Sequence, residues 1–242
     1  AQRKASAQFC VLRMRCIVAV LVCATVTVLA QAPPTKPTWP DEFDAPFGLT
    51  NLFPKSPILN VTSHFYYNWD QLQSQVIDYP TRCIPLVEKN SESYPCKLFF
   101  NPQGVYLSQP ALNVQCCSLF PGVGAVPPTF LQGMTWSSKQ SATDYYGYEH
   151  QCDYWTGDLF AYWTDVDSGD DVFFQDGPSG TFWGWGEFNV APQSKTIFQL
   201  PASNGVCSKK CPGLLADEAE SWTRLVNAMP LLRFAQNAPV QH

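Results

Sequence analysis

Histidine is scarce: three in 242 residues, His64, His150 and the terminal His242. A Ser-His-Asp or Cys-His site must therefore use His64 or His150. Gly177-Pro178-Ser179-Gly180 lacks the final glycine of a nucleophile elbow and reads as a turn. The chain carries no G-x-G-x-x-G, no P-loop and no H-E-x-x-H. Charge is thin as well, at 14% of residues, with 15 Lys+Arg against 20 Asp+Glu. Without a basic cluster there is no electrostatic footprint for nucleic acid, and no polybasic patch for anionic lipid. No apolar run reaches the roughly 20 residues of a membrane span, and no internal repeat is present.

What is present begins with a leader. Residues 1–13 read as in-frame upstream sequence before Met14. A basic residue, an apolar run of about 15 residues and Ala30-Gln31-Ala32 then follow the layout of a secretory signal peptide. Residues 1–32 are assigned to this segment, so the mature chain has no transmembrane anchor. Arg3, Lys4, Arg13 and Arg15 leave with it, and the net charge moves from -5 to about -9. The expected location is extracellular, or the lumen of a secretory or lysosome-like compartment.

There, the seven remaining cysteines read as a disulfide frame with one thiol left over. They are Cys83, Cys96, Cys116, Cys117, Cys152, Cys207 and Cys211. About 105 pairings are open to them. Cys116 and Cys117 are adjacent, so on a strand they point to opposite faces. One can staple towards Cys207, and the other is a candidate for the unpaired thiol. Asn60-Val61-Thr62 is a glycosylation sequon, with Asn60 the acceptor.

Short strands follow one another from Ile58 onwards. Leu59, Val61, Phe65, Tyr67 and Trp69 share one face of the first. Gln75–Tyr79 is a return strand, and Asn101-Pro102-Gln103-Gly104 turns a hairpin. Tyr146, Tyr148, His150, Cys152 and Tyr154 alternate with polar residues over Tyr146–Tyr154. Phe182–Val190 and Thr196–Leu200 complete nine or ten strands, without helical crossovers, which argues for antiparallel sheet. Residues 33–56 hold six prolines and read as an extended lead-in. Residues 212–242 carry an amphipathic stripe and read as a C-terminal helical tail. The β domain is bounded at 57–211.

Aromatic residues crowd both faces of the later strands, so the sheet needs cover on both sides or lines a cavity. A concave apolar face is a ligand site by default. The candidate pocket is Phe65, Tyr67, Trp69, Tyr146, Tyr148, His150, Tyr154, Trp163, Trp183 and Trp185. Its ligand is a hydrophobic small molecule or lipid, held without catalysis. Exposed Trp and Tyr on a carbohydrate-binding or adhesion surface are the alternative. His150-Gln151-Cys152 places two zinc-ligand types on one strand face but lacks further ligands nearby in sequence. The acidic turn at 165–171 offers Asp165, Asp167 and Asp170 as a calcium candidate, against a plain solvated hairpin tip; its spacing is not that of an EF-hand.

One order of landmarks is more specific. Phe65-Tyr66-Tyr67-Asn68-Trp69-Asp70 on the first strand is followed by Cys116-Cys117 and a Gly/Pro loop. Pro128-Thr129-Phe130-Leu131, the Trp/Tyr-rich strands, and Ile197-Phe198-Gln199-Leu200-Pro201 before Cys207 then follow. Over about 57–211 this resembles the ependymin-related family of secreted glycoproteins. The resemblance implies a mainly β fold of antiparallel curved sheets in a half-open barrel, similar to bacterial lipoprotein carriers, with a C-terminal helix added here. It also implies a hydrophobic ligand, calcium, and a role in the extracellular matrix or adhesion. The chain departs from the pattern in having no cysteine between Pro33 and Arg82, in its additional cysteines and in its helical tail.

Overall fold

The structure, a computed structural model, describes residues 33–51, 61–83, 93–157, 160–176, 181–202 and 207–212. The chain divides into Ala1–Ala32 and Pro33–His242, and every described residue belongs to the second unit. The leader, Asn60 and the helical tail beyond Pro212 lie outside the described residues.

Eleven antiparallel strands form one sheet, in the order β6-β5-β4-β3-β2-β1-β11-β10-β9-β8-β7. In chain order they are β1 Glu42–Asn51, β2 Val61–Asn68, β3 Ser74–Tyr79, β4 Cys96–Asn101, β5 Gly104–Gln109 and β6 Val114–Pro121. They continue with β7 Thr135–Thr143, β8 Glu149–Thr156, β9 Phe160–Asp165, β10 Asp171–Asp176 and β11 Thr181–Trp185. Only β1 and β11 join strands distant in sequence; the other neighbours are hairpins or meanders. β6 and β7 are the two edges, so the sheet is open.

The sheet curls. On β1 the residues Phe43, Ala45, Phe47 and Leu49 point to one face and are buried. Phe65 and Tyr67 of β2 join them, with Leu98 of β4, Leu107 of β5, Trp155 of β8 and Tyr162 of β9. From β2 to β9 is four strand steps, about 19 Å in a flat sheet. Trp39 nevertheless touches both strands: its ring lies 5.5 Å from that of Tyr67, and its Nε1 donates to Tyr162 Oη at 3.0 Å. The inner face therefore wraps around Trp39. The segment between β6 and β7 fills the same hollow with Val123, Ala125, Phe130, Leu131 and Met134, all buried. Trp39 N–H donates to Pro128 O and Tyr67 Oη donates to Val126 O, which ties that segment in place.

Several expectations change. Residues 42–51 are no lead-in but a central strand between β2 and β11. Six prolines masked the alternation of Phe43, Ala45, Phe47 and Leu49. Pro46 is tolerated in mid-sheet because its nitrogen faces the side where β11 ends. There Gly186 N–H reaches Pro46 O and the next pairing is Asp44 with Asn189, so no ladder donor is lost. A Cβ on Gly186 would lie 2.7 Å from Pro46 Cγ, which leaves only glycine room for this crossing. β11 stops at Trp185 rather than running to Val190, and Lys195–Phe198 is a 3-10 helix where a strand over Thr196–Leu200 was expected. Tyr146–Tyr154 is not one strand: Gly147, at φ +90°, turns the chain, and β8 starts at Glu149. β7 was not anticipated at all, because Thr135–Thr143 is a polar edge.

The need for cover on both faces is met by this edge. β7 packs over β10, and the β7–β8 turn reaches back to β11, where Tyr145 N–H donates to Trp185 O. A Cβ on Gly184 would lie 3.4 Å from the backbone of Asp144 and Tyr145, so the turn sits directly on β11. Beneath the fold-back lies a second core of Cys152, Ala161, Trp163 and Val172 on the outer face.

Three disulfides frame the sheet: Cys83–Cys96, Cys116–Cys207 and Cys117–Cys211. Both members of the adjacent pair are bonded, and among the described cysteines the free thiol is Cys152, which is buried. The last two bridges are nearly redundant as loop closures. Each spans more than 90 residues alone, but with one in place the other closes only a short ring. Chain-entropy reasoning gives about 2 kcal/mol for losing either and about 7 kcal/mol for losing both. We expect Cys116→Ala/Cys207→Ala and Cys117→Ala/Cys211→Ala each to shift the denaturation midpoint modestly, and the quadruple variant to lose more than their sum. Simple additivity in urea unfolding would contradict the nested arrangement.

Candidate functional site

The strand registers stack the inner face into rows. One row runs straight across six strands: Trp136 of β7, Trp155, Tyr162, Phe174, Trp183 and Leu49 of β1. Five successive members are aromatic. The next row places Trp185, Phe47, Ser63 and Tyr79 side by side. Trp183 stacks on Phe47 at 4.9 Å, and Phe174 meets Trp183 edge-on at 5.7 Å. Phe160 extends the strip, 5.3 Å from Phe174. Trp155 and Trp185 are buried, whereas Trp136, Phe160, Phe174 and Trp183 keep part of their surface in solvent. This is an apolar, polarizable surface on the concave side of a curved sheet.

The ten residues of the sequence-derived pocket do not converge. Phe65, Tyr67 and Trp185 are buried around Trp39, with Trp69 stacked on Tyr67 at 6.5 Å and Trp183 in the strip. His150, Tyr154 and Trp163 point to the outer face, where Tyr154 packs on Trp163 at 4.7 Å. Tyr146 and Tyr148 stand in the β7–β8 turn, 57% and 69% exposed. Sequence reasoning chose the even-numbered face of β8; the odd-numbered one, with Trp155, looks inward. It also passed over Trp39, Phe43 and Phe47, although their alternation was there to be read.

Polar groups on the inner face are few. The Tyr162 hydroxyl accepts from Trp39 and lies close to Asp171, whose carboxyl is pushed up to about 7 by burial, with Tyr162 and Trp39 opposing and Asp170 adding to the shift. Ser63 Oγ, Trp183 Nε1, Trp185 Nε1 and Asp171 Oδ1 are sealed from solvent without a hydrogen-bond partner.

The outer face holds two histidine clusters. His64 Nε2 meets Asp44 Oδ2 at 2.7 Å, and Asn189 and Gln193 donate to the other oxygen of Asp44. His150 bridges two turns, with Nδ1 2.9 Å from Asp165 and Nε2 3.1 Å from Asp144. Asp144 Oδ1 accepts from the N–H groups of Tyr146 and Tyr148, and Asp165 Oδ1 from those of Asp167 and Ser168. His150 therefore pins the β7–β8 turn to the β9–β10 turn. Its pKa is raised, by the bond to Asp165 first, with Asp144 adding and burial opposing. Burial pulls Asp165 upward, but the Ser168 N–H, His150 and the Asp167 N–H outweigh it and hold the carboxyl below its usual range.

This arrangement also bears on the metal candidates. Asp165 is committed to turn N–H groups and His150, while Asp167 and Asp170 are exposed on the hairpin tip. Among the described residues, no three His, Cys, Asp or Glu side chains gather to hold a metal ion. Cys152, two residues from His150, is a buried thiol pushed up to about 12 by burial first and Asp165 next, which makes it unreactive.

No protein-family model and no curated protein matches the chain. Among solved structures it is similar to the LolA superfamily protein NE2245 from Nitrosomonas europaea, at 10% sequence identity and a TM-score of 0.34, over 65% of this chain and 90% of that one.

A group whose folded pKa is raised stabilises the fold below its unfolded value and loses that contribution as pH rises through the folded one. For His150 the loss begins near pH 6.5 and is complete above its raised pKa. The Asp165 contribution is present above about pH 4 and is lost in acid. Melting curves at pH 5.5 and 8.5 should therefore show His150→Gln costing more stability at the lower pH. An equal cost at both would mean that the bridge carries no charge.

Proposed function

We propose that this protein binds a hydrophobic ligand, a lipid or lipid-like molecule, against the aromatic strip of its concave face, without catalysing a reaction. The single observation that carries the reading is the six-strand row from Trp136 to Leu49. A core needing only burial is satisfied by aliphatic residues. An unbroken run of aromatic rings, several of them still reached by solvent, is a surface made for sliding contact with chains or rings. Each methylene laid on it contributes about 0.8 kcal/mol.

The non-enzymatic reading is supported by the histidines. His64 and His150, which a hydrolase would need, are each committed to carboxylates on the opposite face. Secretion is part of the proposal, supported by the leader-like first 32 residues and by the three disulfides. We retain the ependymin-related assignment as a proposal; the curved, all-antiparallel sheet that it implies supports it. Calcium is not included, because Asp165 already spends both oxygens on the turn and His150. A carbohydrate platform built on tryptophan is not favoured either, since every described tryptophan is buried or half-buried.

The test begins with protein purified under oxidising conditions, its organic extract examined by mass spectrometry for co-purified lipid. The stripped protein is then titrated with a nitrobenzoxadiazole-labelled acylglycerol. Binding should weaken about tenfold in Phe174→Ala, for the loss of one buried aromatic contact, and stay unchanged in Tyr148→Ala. No bound lipid and no titratable binding, or equal binding by the two variants, would sink the proposal.

A further inference from the structure

Four buried polar atoms of the concave face have no partner: Ser63 Oγ, Trp183 Nε1, Trp185 Nε1 and Asp171 Oδ1. Ser63 is 2% exposed, and its Oγ is one of them. Ser63 lies opposite Phe47 across β1–β2, and Trp183 stacks on the same Phe47 ring at 4.9 Å, so both residues neighbour Phe47. Asp171 Oδ1 and Trp185 Nε1 lie beside Tyr162. A buried polar atom left unpaired costs about 1–3 kcal/mol, and native folds rarely accept several together. Trp183 belongs to the strip against which the proposed ligand would rest and Ser63 to the neighbouring row, so a ligand head reaching in from the strip would give these atoms a common explanation.

Their chemistry restricts the ligand. An indole N–H only donates, and a serine hydroxyl both donates and accepts. The head of the ligand must therefore bring an oxygen that accepts. Charge restricts it further. Among the described residues, Lys139, Lys195, Lys209 and Lys210 are exposed, Lys36 donates to Gln132 O and Lys97 pairs with Asp78 on the outer face, so none of these six lysines supplies a buried countercharge. The ionisable neighbour is itself acidic: Asp171, with Asp170 beside it and Tyr162 facing it from β9. A carboxylate head would be desolvated next to a carboxyl group, with none of those six lysines to balance it.

We propose that the concave face selects an uncharged, oxygen-bearing amphiphile, such as a monoacylglycerol or long-chain alcohol, whose head oxygen accepts from Ser63 and Trp183, and that it discriminates against fatty-acid anions through Asp171. The proposal rests on the ligand-binding reading above. The rival explanation of the same atoms is buried water, which would leave ligand choice untouched.

Three probes with the same ten-carbon chain separate the outcomes: 1-monodecanoylglycerol, decanoate and decyltrimethylammonium. Each is titrated at pH 8 into the lipid-stripped full chain, with tryptophan fluorescence as the readout. The acylglycerol should bind at least tenfold more tightly than decanoate. Ser63→Ala and Trp183→Phe should each weaken the acylglycerol by about tenfold, the loss of one hydrogen bond, and Ser63→Ala should leave decanoate unchanged. Asp171→Asn should strengthen decanoate alone. Circular dichroism checks folding, and Ser63→Ala, a deletion of one atom, carries the test if a larger change fails to fold. Decanoate binding as tightly as the acylglycerol would overturn the selectivity while leaving the ligand site standing. Binding unaffected by both Ser63→Ala and Trp183→Phe would assign the unpaired atoms to water. No binding by any probe would instead remove the ligand-binding reading itself.

Discussion

An eleven-strand sheet with an aromatic inner face has no second sheet to pack on, so it must bury that face against itself. Trp39 is the ring about which this happens. Its edges and faces meet Phe43, Phe65, Tyr67, Phe130, Trp185 and Phe188, and its one polar atom is satisfied by Tyr162. Edge-to-face contacts dominate, the arrangement that aromatic quadrupoles favour. A residue from the segment before β1 thereby connects strands that a flat sheet would keep apart. The curl, the inner rows and the exclusion of water from Tyr67 and Tyr162 all follow from that insertion.

Curvature around Trp39 leaves an unequal interior. Towards β2–β5 the chain fills its own hollow with the β6–β7 segment. Towards β7–β11 the inner face is aromatic and less completely covered. The outer face reverses this pattern: it is covered over β9 and β10 by the folded-back β7–β8 hairpin, which His150 latches to the neighbouring turn. The molecule thus places its titratable bridge on one side of the sheet and its ring-lined surface on the other. The backs of the same strands, β9 to β11, carry both.

Much of this was legible in the sequence. The alternation in β2, the Asn101–Gly104 hairpin, the meander of later strands and the aromatic load on both faces all came through, because period two survives wherever one side of a strand is buried. It failed where other signals were louder. Proline density hid β1, and Pro46 escapes the usual penalty only because β11 ends beside it. β7 was invisible because an edge strand that folds back over a small core keeps polar residues on most positions. Tyr146 and Tyr148 continue the rhythm of β8 across a glycine turn, so periodicity alone could not exclude them from the pocket. The pairing of the seven cysteines was beyond sequence, since it depends on where the chain's end returns. Ser63 and Asp171 carry no local signal, as their importance comes from neighbours on other strands, Phe47 and Trp183 for the one and Tyr162 for the other.

The adjacent cysteines do more than close loops. Cys116 and Cys117 lie on β6, an edge of the open sheet, and their partners belong to the short 207–211 segment. Between the two bonds, Ser118 N–H donates to Lys209 O and Cys211 N–H donates to Ser118 O. The segment is a covalently fastened selvedge: at Ser118 it occupies the backbone N–H and C=O that an unguarded border strand would offer to another chain. Oxidation is then a condition for remaining unaggregated as well as for stability. In a reducing environment the same hem would lift, and β6 would become a template for intermolecular pairing.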